Sequence, residues 1–239
     1  MGYRSVICQI VLKKDHKALF DYKHIDNDGQ NIDLPLGKVV CVGRNYLQHI
    51  KELENDIPSE PLLFIKPSTS LAILHRSVVL PKNLGPCHNE LEIAVLIKSP
   101  LSQASLQVAA QAIWGIGLGL DLTLREVQGR LKKQGQPWER AKAFDLSCPM
   151  SQFVAKEKVK DLCNITFSLQ VNNSLRQHGN SQAMLFPILE LLANISQTFS
   201  LLPGDIVMTG TPKGVAALSS DDQLEVELDG HFRVNTTVV

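Results

Sequence analysis

The chain has 239 residues, enough to bury a full core, either as one large domain or as a small N-terminal piece plus one domain. Hydrophobic residues make up 44% and charged residues 20%, an ordinary balance for a soluble globular protein. With 24 Lys+Arg against 24 Asp+Glu the formal net charge is zero, which gives no case for nucleic acid or an anionic membrane as partner.

In chain order, 6–12 and 17–23 read as short strands with a polar turn at 26–29, so residues 1–36 form a small β-rich lead-in. Val39–Gly43 is a short buried strand leading through Arg44-Asn45-Tyr46 into a short helix ending near Glu54. Residues 56–61 are a breaker cluster, and strands follow at 62–65 and 78–80. The run 90–97 is a strand, 103–114 is helical, and the apolar stretch 116–120 ends at Asp121. Thr123-Leu124-Arg125-Glu126 matches a capping box, which places a helix start at Thr123 and its end near Gly129 or Gly135. Residues 162–172 read as a strand, 181–200 as an apolar helix, 206–208 as a strand, and the chain after Gln223 as paired strands around Asp229-Gly230. Strands outnumber helices and do not alternate with them regularly, which predicts an α+β fold that is mainly β.

The five cysteines (Cys8, Cys41, Cys87, Cys148, Cys163) form no CxxC pair and are odd in number. That argues against a zinc site or a disulfide framework and for buried thiols in a reducing cytosol. No signal-peptide pattern leads the chain and no apolar run approaches a membrane span, so a cytoplasmic protein with no membrane partner is expected.

The chemistry concentrates on carboxylates. Side chains alternate faces along a strand, so Glu90 and Glu92 point the same way. Two carboxylates side by side repel each other and are comfortable only in water or around a cation. Asp121 adds a third, and oxygen ligation of this kind suits a hard divalent ion. Arg125 and Gln128 are three apart on the helix after Asp121 and share a face, where a guanidinium can hold a substrate carboxylate with two hydrogen bonds. His49 and Glu52 are also three apart, and a carboxylate beside an imidazole fixes its tautomer and raises its basicity. Lys142 lies in an apolar-flanked run, placed to stabilise a developing enolate. The loop 210–214 offers backbone N–H groups and the Thr211 hydroxyl to a ligand.

Six segments stand in order: Val42-Gly43-Arg44-Asn45-Tyr46, Phe64-Ile65-Lys66-Pro67, His88-Asn89-Glu90-Leu91-Glu92, Leu120 to Gln128, Ala141-Lys142-Ala143-Phe144-Asp145 and Thr209-Gly210-Thr211-Pro212. Together they resemble the fumarylacetoacetate hydrolase family, in particular its small members acting on acylpyruvates and oxaloacetate. The resemblance implies a mixed β-sandwich roll with a few helices, a catalytic domain over 37–239, and a homodimer. It implies Glu90, Glu92 and Asp121 as ligands of Mg²⁺, with Mn²⁺ or Ca²⁺ as substitutes. Lys142 would lie beside metal and substrate, and His49 and Glu52 would form a catalytic dyad on a lid. Arg44, Tyr46, Arg125, Gln128 and Thr211 would contact a small 2-oxo acid.

The expected activity is C–C bond cleavage, by acylpyruvate hydrolysis or oxaloacetate decarboxylation, through a metal-stabilised enolate. The same site could run a keto–enol tautomerisation or a double-bond isomerisation, which need only proton shuttling at C3. A catalytically idle metal-binding protein is the reading from another class.

Overall fold

The computed structural model describes residues 21–239. In chain order the first elements are β1 Val39–Gly43, α1 Leu47–Glu52, β2 Leu62–Lys66, β3 Leu71–Ile73, β4 Cys87–His88 and β5 Leu91–Ile97. Next come α2 Leu106–Ala112, β6 Ile113–Leu120, β7 Thr123–Leu124, α3 Arg125–Lys133, α4 Glu139–Lys142, β8 Cys148–Met150 and β9 Val154–Ala155. The last are β10 Thr166–Val171, β11 Ser174–Asn180, α5 Ile188–Thr198, β12 Ile206–Met208, β13 Gln223–Leu228 and β14 Phe232–Thr237. The expected α+β, mainly β architecture is what these elements build.

An eight-stranded mixed sheet runs in the order β2-β1-β12-β5-β6-β8-β3, with β9 added against β6. β1 runs parallel to β12, with Val39 opposite Ile206, whereas β5 runs antiparallel to both its neighbours, β12 and β6. A four-stranded antiparallel sheet, β11-β10-β13-β14, packs against one face. Strand parity decides who lines which face. Leu91, Ile93, Val95 and Ile97 of β5 meet Phe167, Leu169 and Val226 of the smaller sheet, together with Leu191 and Ile195 of α5. Each of these fully buried side chains contributes roughly 1.5–3 kcal/mol. Ala94 and Leu96, on the opposite face, join Cys41, Met208 and Phe153, and this second core is closed by Tyr22 and Ile32. The described part of the lead-in therefore covers the back of the sheet.

Glycines alternate along β6 because other backbone runs against that face. A Cβ at Gly115 would lie 2.2 Å from the Val154 carbonyl, and one at Gly117 would lie 2.8 Å from that of Gln152.

Several boundaries differ from expectation. The strands expected at 6–12 and over most of 17–23 lie outside the described residues, and 21–23 are not in a strand. The turn at 26–29 is present, closed by the Gly29 N–H on the Asp26 carbonyl. The helix expected over 103–114 ends at Ala112, because Ile113 and Trp114 already belong to β6. The helix expected over 181–200 begins at Ile188, with Pro187 as its N-cap in extended geometry. The capping box is not formed: Thr123 and Leu124 pair with β4, and the Thr123 hydroxyl donates to the Asp121 carbonyl at 3.0 Å. The helix starts at Arg125 with no side-chain cap. The segment 78–80 makes only an isolated bridge from Val78 to Val238.

Candidate active site

Three carboxylates meet where β5 begins and β6 ends. The ladder pairs Leu91 with Leu120, and one step beyond it the Asp121 N–H donates to the Glu90 carbonyl at 2.8 Å. Glu90 and Glu92 flank Leu91, so while Leu91 enters the main core both acids project from the opposite face. One oxygen from each of Glu90, Glu92 and Asp121 lies within 4.8 Å of the others, and all three residues are at most 5% exposed.

Cations surround two of these acids. Lys142, at the end of α4, holds Glu90 Oε2 at 2.6 Å and also pairs with Asp121 Oδ2. Arg125 pairs with Glu90 Oε1 and donates to Gln128 Oε1 at 2.7 Å. Lys66 completes the set from β2. It is fully buried, with its Nζ 2.9 Å from Asp121 Oδ1. The same ammonium donates to the Lys142 carbonyl, to Ser147 O at 3.2 Å and to Ser147 Oγ at 3.0 Å. No role was assigned to Lys66 from the sequence. The available signal was its period-two partnership with Phe64, which places a charge on the inward face of an otherwise apolar strand.

The charges set the proton affinities. Burial would raise the Glu90 pKa, but Lys142, then Arg125 and His49, hold it well below the usual carboxylate range. Burial would lower that of Lys142, but Asp121 and Glu90 raise it above the ordinary lysine value. Glu92 goes the other way: burial first, then the charges of Asp121 and Glu90, push its carboxyl well above normal. Among the described residues Glu92 has no ion-pair partner, and its Oε2 takes a single N–H, from Gly210 at 2.7 Å. Asp121 Oδ1 is buried with the Lys66 ammonium 2.9 Å away but out of hydrogen-bonding alignment. Hard oxygen donors crowded out of water, one without a counter-charge and one without a hydrogen bond, fit a divalent cation such as Mg²⁺ or Mn²⁺.

The remaining site residues come from the β1–α1 corner. Asn45, fully buried, donates to the carbonyls of Phe186 at 3.1 Å and Thr209 at 2.8 Å and accepts the Phe186 N–H, fixing that corner to the β12 loop. Arg44 adopts a left-handed backbone, φ 58°, as the chain turns out of β1. His49 Nδ1 lies 3.2 Å from Glu52 Oε2, and Glu52 Oε1 accepts the Gly214 N–H at 2.9 Å. With Nδ1–H facing the carboxylate, His49 Nε2 is left as an acceptor. The Tyr46 phenol is buried without a hydrogen-bond partner, and burial and then Glu92 raise its pKa, so it stays a neutral donor. The loop N–H groups of Gly210 and Gly214 thus serve the site's own Glu92 and Glu52. The Thr211 hydroxyl donates to the Leu91 carbonyl and accepts from Gln177 Nε2, both at 2.8 Å, which leaves it one lone pair.

These residues line one narrow cleft of about 40 Å³ that opens to solvent. Its walls include Arg44, His49, Glu90, Glu92, Asp121 and Lys142, with Arg125, Gln128 and Thr211 also on the lining. Glu52 and Tyr46 stand behind that lining.

The chain matches the fumarylacetoacetate (FAA) hydrolase C-terminal family over residues 38–239. It is 50% identical over 211 residues to the oxaloacetate tautomerase YcgM of Escherichia coli (strain K12), covering 88% of this chain and 96% of that protein. It is 42% identical over 192 residues to the mitochondrial oxaloacetate tautomerase FAHD1 of Bos taurus, covering 80% and 87%. The fold superposes on that of the fumarylpyruvate hydrolase of Pseudomonas aeruginosa, whose crystal structure is a complex with Mn²⁺ and pyruvate. The TM-score is 0.84 at 31% identity, covering 91% of this chain and 95% of the other. The mainly β roll, the ordered motifs and these relatives agree: the chain belongs to the fumarylacetoacetate hydrolase C-terminal family.

Proposed function

We propose that this protein is a keto–enol tautomerase of a small 2-oxo dicarboxylic acid of the oxaloacetate type, working with a divalent metal ion. Membership of the family makes it a metal-dependent enzyme rather than an idle metal-binding protein. The observation that carries the reading is the juxtaposition of His49 with the buried carboxylate–lysine cluster in one cleft. The names of the two relatives put tautomerisation ahead of the C–C cleavage expected from the sequence.

Glu90, Glu92 and Asp121 would hold the ion, Mg²⁺ or Mn²⁺. When bound, it supplies Lewis-acid polarisation of the substrate's 2-oxo group. The Lys142 ammonium then balances negative charge collecting on the 2-oxygen as the C3–H bond breaks and C2=C3 forms. His49 Nε2, set by Glu52, takes the C3 proton in one direction and returns it in the other, while the 2-oxygen gains or releases the enol proton through solvent water at the open cleft. Lys66 keeps Asp121 and the Lys142 backbone in place. Arg44, Gln128 and Thr211 would contact the substrate, with Tyr46 behind them and not on the lining as the sequence suggested. Arg125, whose guanidinium is taken up by Glu90 and Gln128, orients the ligand set before it meets substrate.

The test is an assay on purified protein with Mg²⁺ and enol-oxaloacetate that follows ultraviolet enol decay and pyruvate release in one sample. Enol decay should be catalysed and should outrun pyruvate release. Enol decay at the uncatalysed rate would overturn the reading. His49→Ala should slow it by about 10²–10⁴-fold, the usual worth of a general base.

A second reading keeps C–C cleavage, as acylpyruvate hydrolysis or oxaloacetate decarboxylation. The specific support is the His49–Glu52 pair, a geometry equally suited to activating water, together with the likeness to a fumarylpyruvate hydrolase. Pyruvate release from acetylpyruvate at a rate matching enol decay would favour it. Homodimeric assembly and a cytosolic location belong to the same proposal. No helix among the described residues is long and apolar enough to cross a membrane.

A further inference from the structure

Two cations at the mouth of the cleft have no acidic partner among the described residues. Arg44 Nη2 donates to Asn55 Oδ1 at 2.9 Å, and its Nη1 reaches the Asp56 carbonyl at 3.4 Å. Lys132, on the last turn of α3, donates to the same Asn55 oxygen at 3.4 Å, with its Nζ 5.4 Å from the centroid of the Trp138 ring. Among the described residues neither cation has a carboxylate within ion-pair distance. Lys66, Lys142 and Arg125, deeper in, are all committed to Glu90 or Asp121. A neutral amide and an aromatic face hold the two outer cations in position without cancelling their charge.

The cleft therefore has two chemically different ends. Its floor is the carboxylate cluster and its mouth is cationic, with Arg44, Asn55, Lys132 and Trp138 all on the same lining as Glu90 and Asp121. A short linear molecule seated at the floor by its 2-oxo acid end extends its far end toward that mouth. The potential there is already felt by Lys132: partial enclosure, then the charges of Arg44, Arg125 and Lys142, lower its proton affinity. A bound anion would relieve that repulsion.

We infer that Lys132, placed by Asn55 and acting with Arg44, reads the distal carboxylate of a 2-oxo dicarboxylic acid and sets the preference for such substrates over 2-oxo acids with an uncharged far end. The inference rests on the cleft taking 2-oxo acids, as proposed above, and it adds the residue that selects among them.

The test is calorimetric binding to Mg²⁺-loaded protein of 2-oxoglutarate, which carries a distal carboxylate, and of 2-oxobutanoate, which does not. Wild type should bind the dicarboxylate more tightly. Lys132→Met keeps the stem and removes the charge. It should weaken 2-oxoglutarate by about tenfold or more, the worth of one charged hydrogen bond, and leave 2-oxobutanoate within about twofold. Lys132→Arg should restore most of the preference. Equal weakening of both ligands, an unchanged 2-oxoglutarate affinity, or no preference in wild type would each overturn the inference. Because binding is read without turnover, absent enol decay alongside an intact dicarboxylate preference would sink the tautomerase reading and leave the role of Lys132 standing.

Discussion

The side-chain oxygen of Gln177, on the smaller sheet, accepts the backbone N–H of Leu91 at 2.9 Å, between the two buried glutamates. It also takes Asn89 Nδ2 at 2.8 Å, while Gln177 Nε2 donates to Thr211 Oγ1 at 2.8 Å and to the Pro212 carbonyl at 3.0 Å. One buried amide thus ties the strand bearing Glu90 and Glu92 to the loop bearing Thr211. The loop also runs hard against β11: a Cβ on Gly214 (φ +102°) would sit 2.0 Å from the Arg176 carbonyl. Gln177→Leu removes four hydrogen bonds and strands the Leu91 N–H and the Pro212 carbonyl, whereas Asn89 Nδ2 keeps the Gly214 carbonyl and Thr211 Oγ1 keeps the Leu91 carbonyl, at about 1–3 kcal/mol for each group that finds no substitute. Urea denaturation should show a loss of several kcal/mol, and Mg²⁺ titration should show weaker binding because Leu91 is no longer held. A variant as stable as wild type to within about 0.5 kcal/mol would mean that the amide is incidental.

Glu92 is the carboxylate without a counter-charge, so it bears most directly on the ion. Glu92→Gln should abolish measurable Mg²⁺ or Mn²⁺ binding by calorimetry while keeping the fold, since Gln can still accept the Gly210 N–H. EDTA should remove the wild-type activity and added Mg²⁺ should restore it. Tight ion binding by Glu92→Gln would move the metal elsewhere.

Lys66→Met probes the cation that the sequence did not flag. Breaking a buried ion pair by removing one partner costs about 3–5 kcal/mol. Asp121 then keeps Lys142 on Oδ2 but loses its cation at Oδ1, a deficit that a divalent ion would make good, so the loss of stability should be smaller with saturating Mg²⁺ than in EDTA. An identical loss in both conditions would place Lys66 outside the ion's electrostatic reach.

His24 gives a pH prediction away from the site. It is buried, with Nε2 3.2 Å from the Pro35 carbonyl and Nδ1 3.2 Å from the Tyr22 hydroxyl. The carbonyl can only accept, so Nε2 carries the proton and Nδ1 accepts from Tyr22. Burial, outweighing the Pro35 and Gly204 carbonyls, lowers the pKa from 6.5. A folded-state value below the unfolded one means that the stabilisation is present above about pH 6.5 and is lost as pH falls through the folded value. Thermal melts should therefore decline more steeply on acidification in wild type than in His24→Gln. Parallel declines would refute the assignment.

Much of the frame was legible because it is local. Val39–Gly43, Leu62–Ile65 and Ile206–Met208 are short apolar runs between breakers, and Asp229-Gly230 announces the C-terminal hairpin. The convergence of Glu90, Glu92 and Asp121 was also legible, since period-two alternation put the first two on one face and the end of an apolar strand placed the third. The capping box misled because the Thr123 hydroxyl finds the Asp121 carbonyl instead of a helix N–H. The boundary at Ile113 was hidden because helical spacing runs on into a strand whose glycines answer to distant backbone. Lys66 and Gln177 were not legible in these roles, because their partners lie 76 and 86 residues away and no local pattern encodes them.

The parallel pairing of β1 with β12 bears on how the molecule is made. Lys38 and Asp205, which flank that pairing, are 167 residues apart and are joined both by an ion pair and by the Lys38 backbone N–H donating to the Asp205 carboxylate. Closing so long a loop is costly before any contact rewards it, so this step belongs late in folding. A nascent chain emerging from the ribosome can form the β5–β6 hairpin early, but it cannot insert β12 between β1 and β5 until Met208 has been synthesised. The loop that holds Glu92 and Glu52 follows β12 directly. The pocket is therefore completed only in the final stretch of translation, and a chain interrupted before that point carries the acidic cluster without the amides that position it.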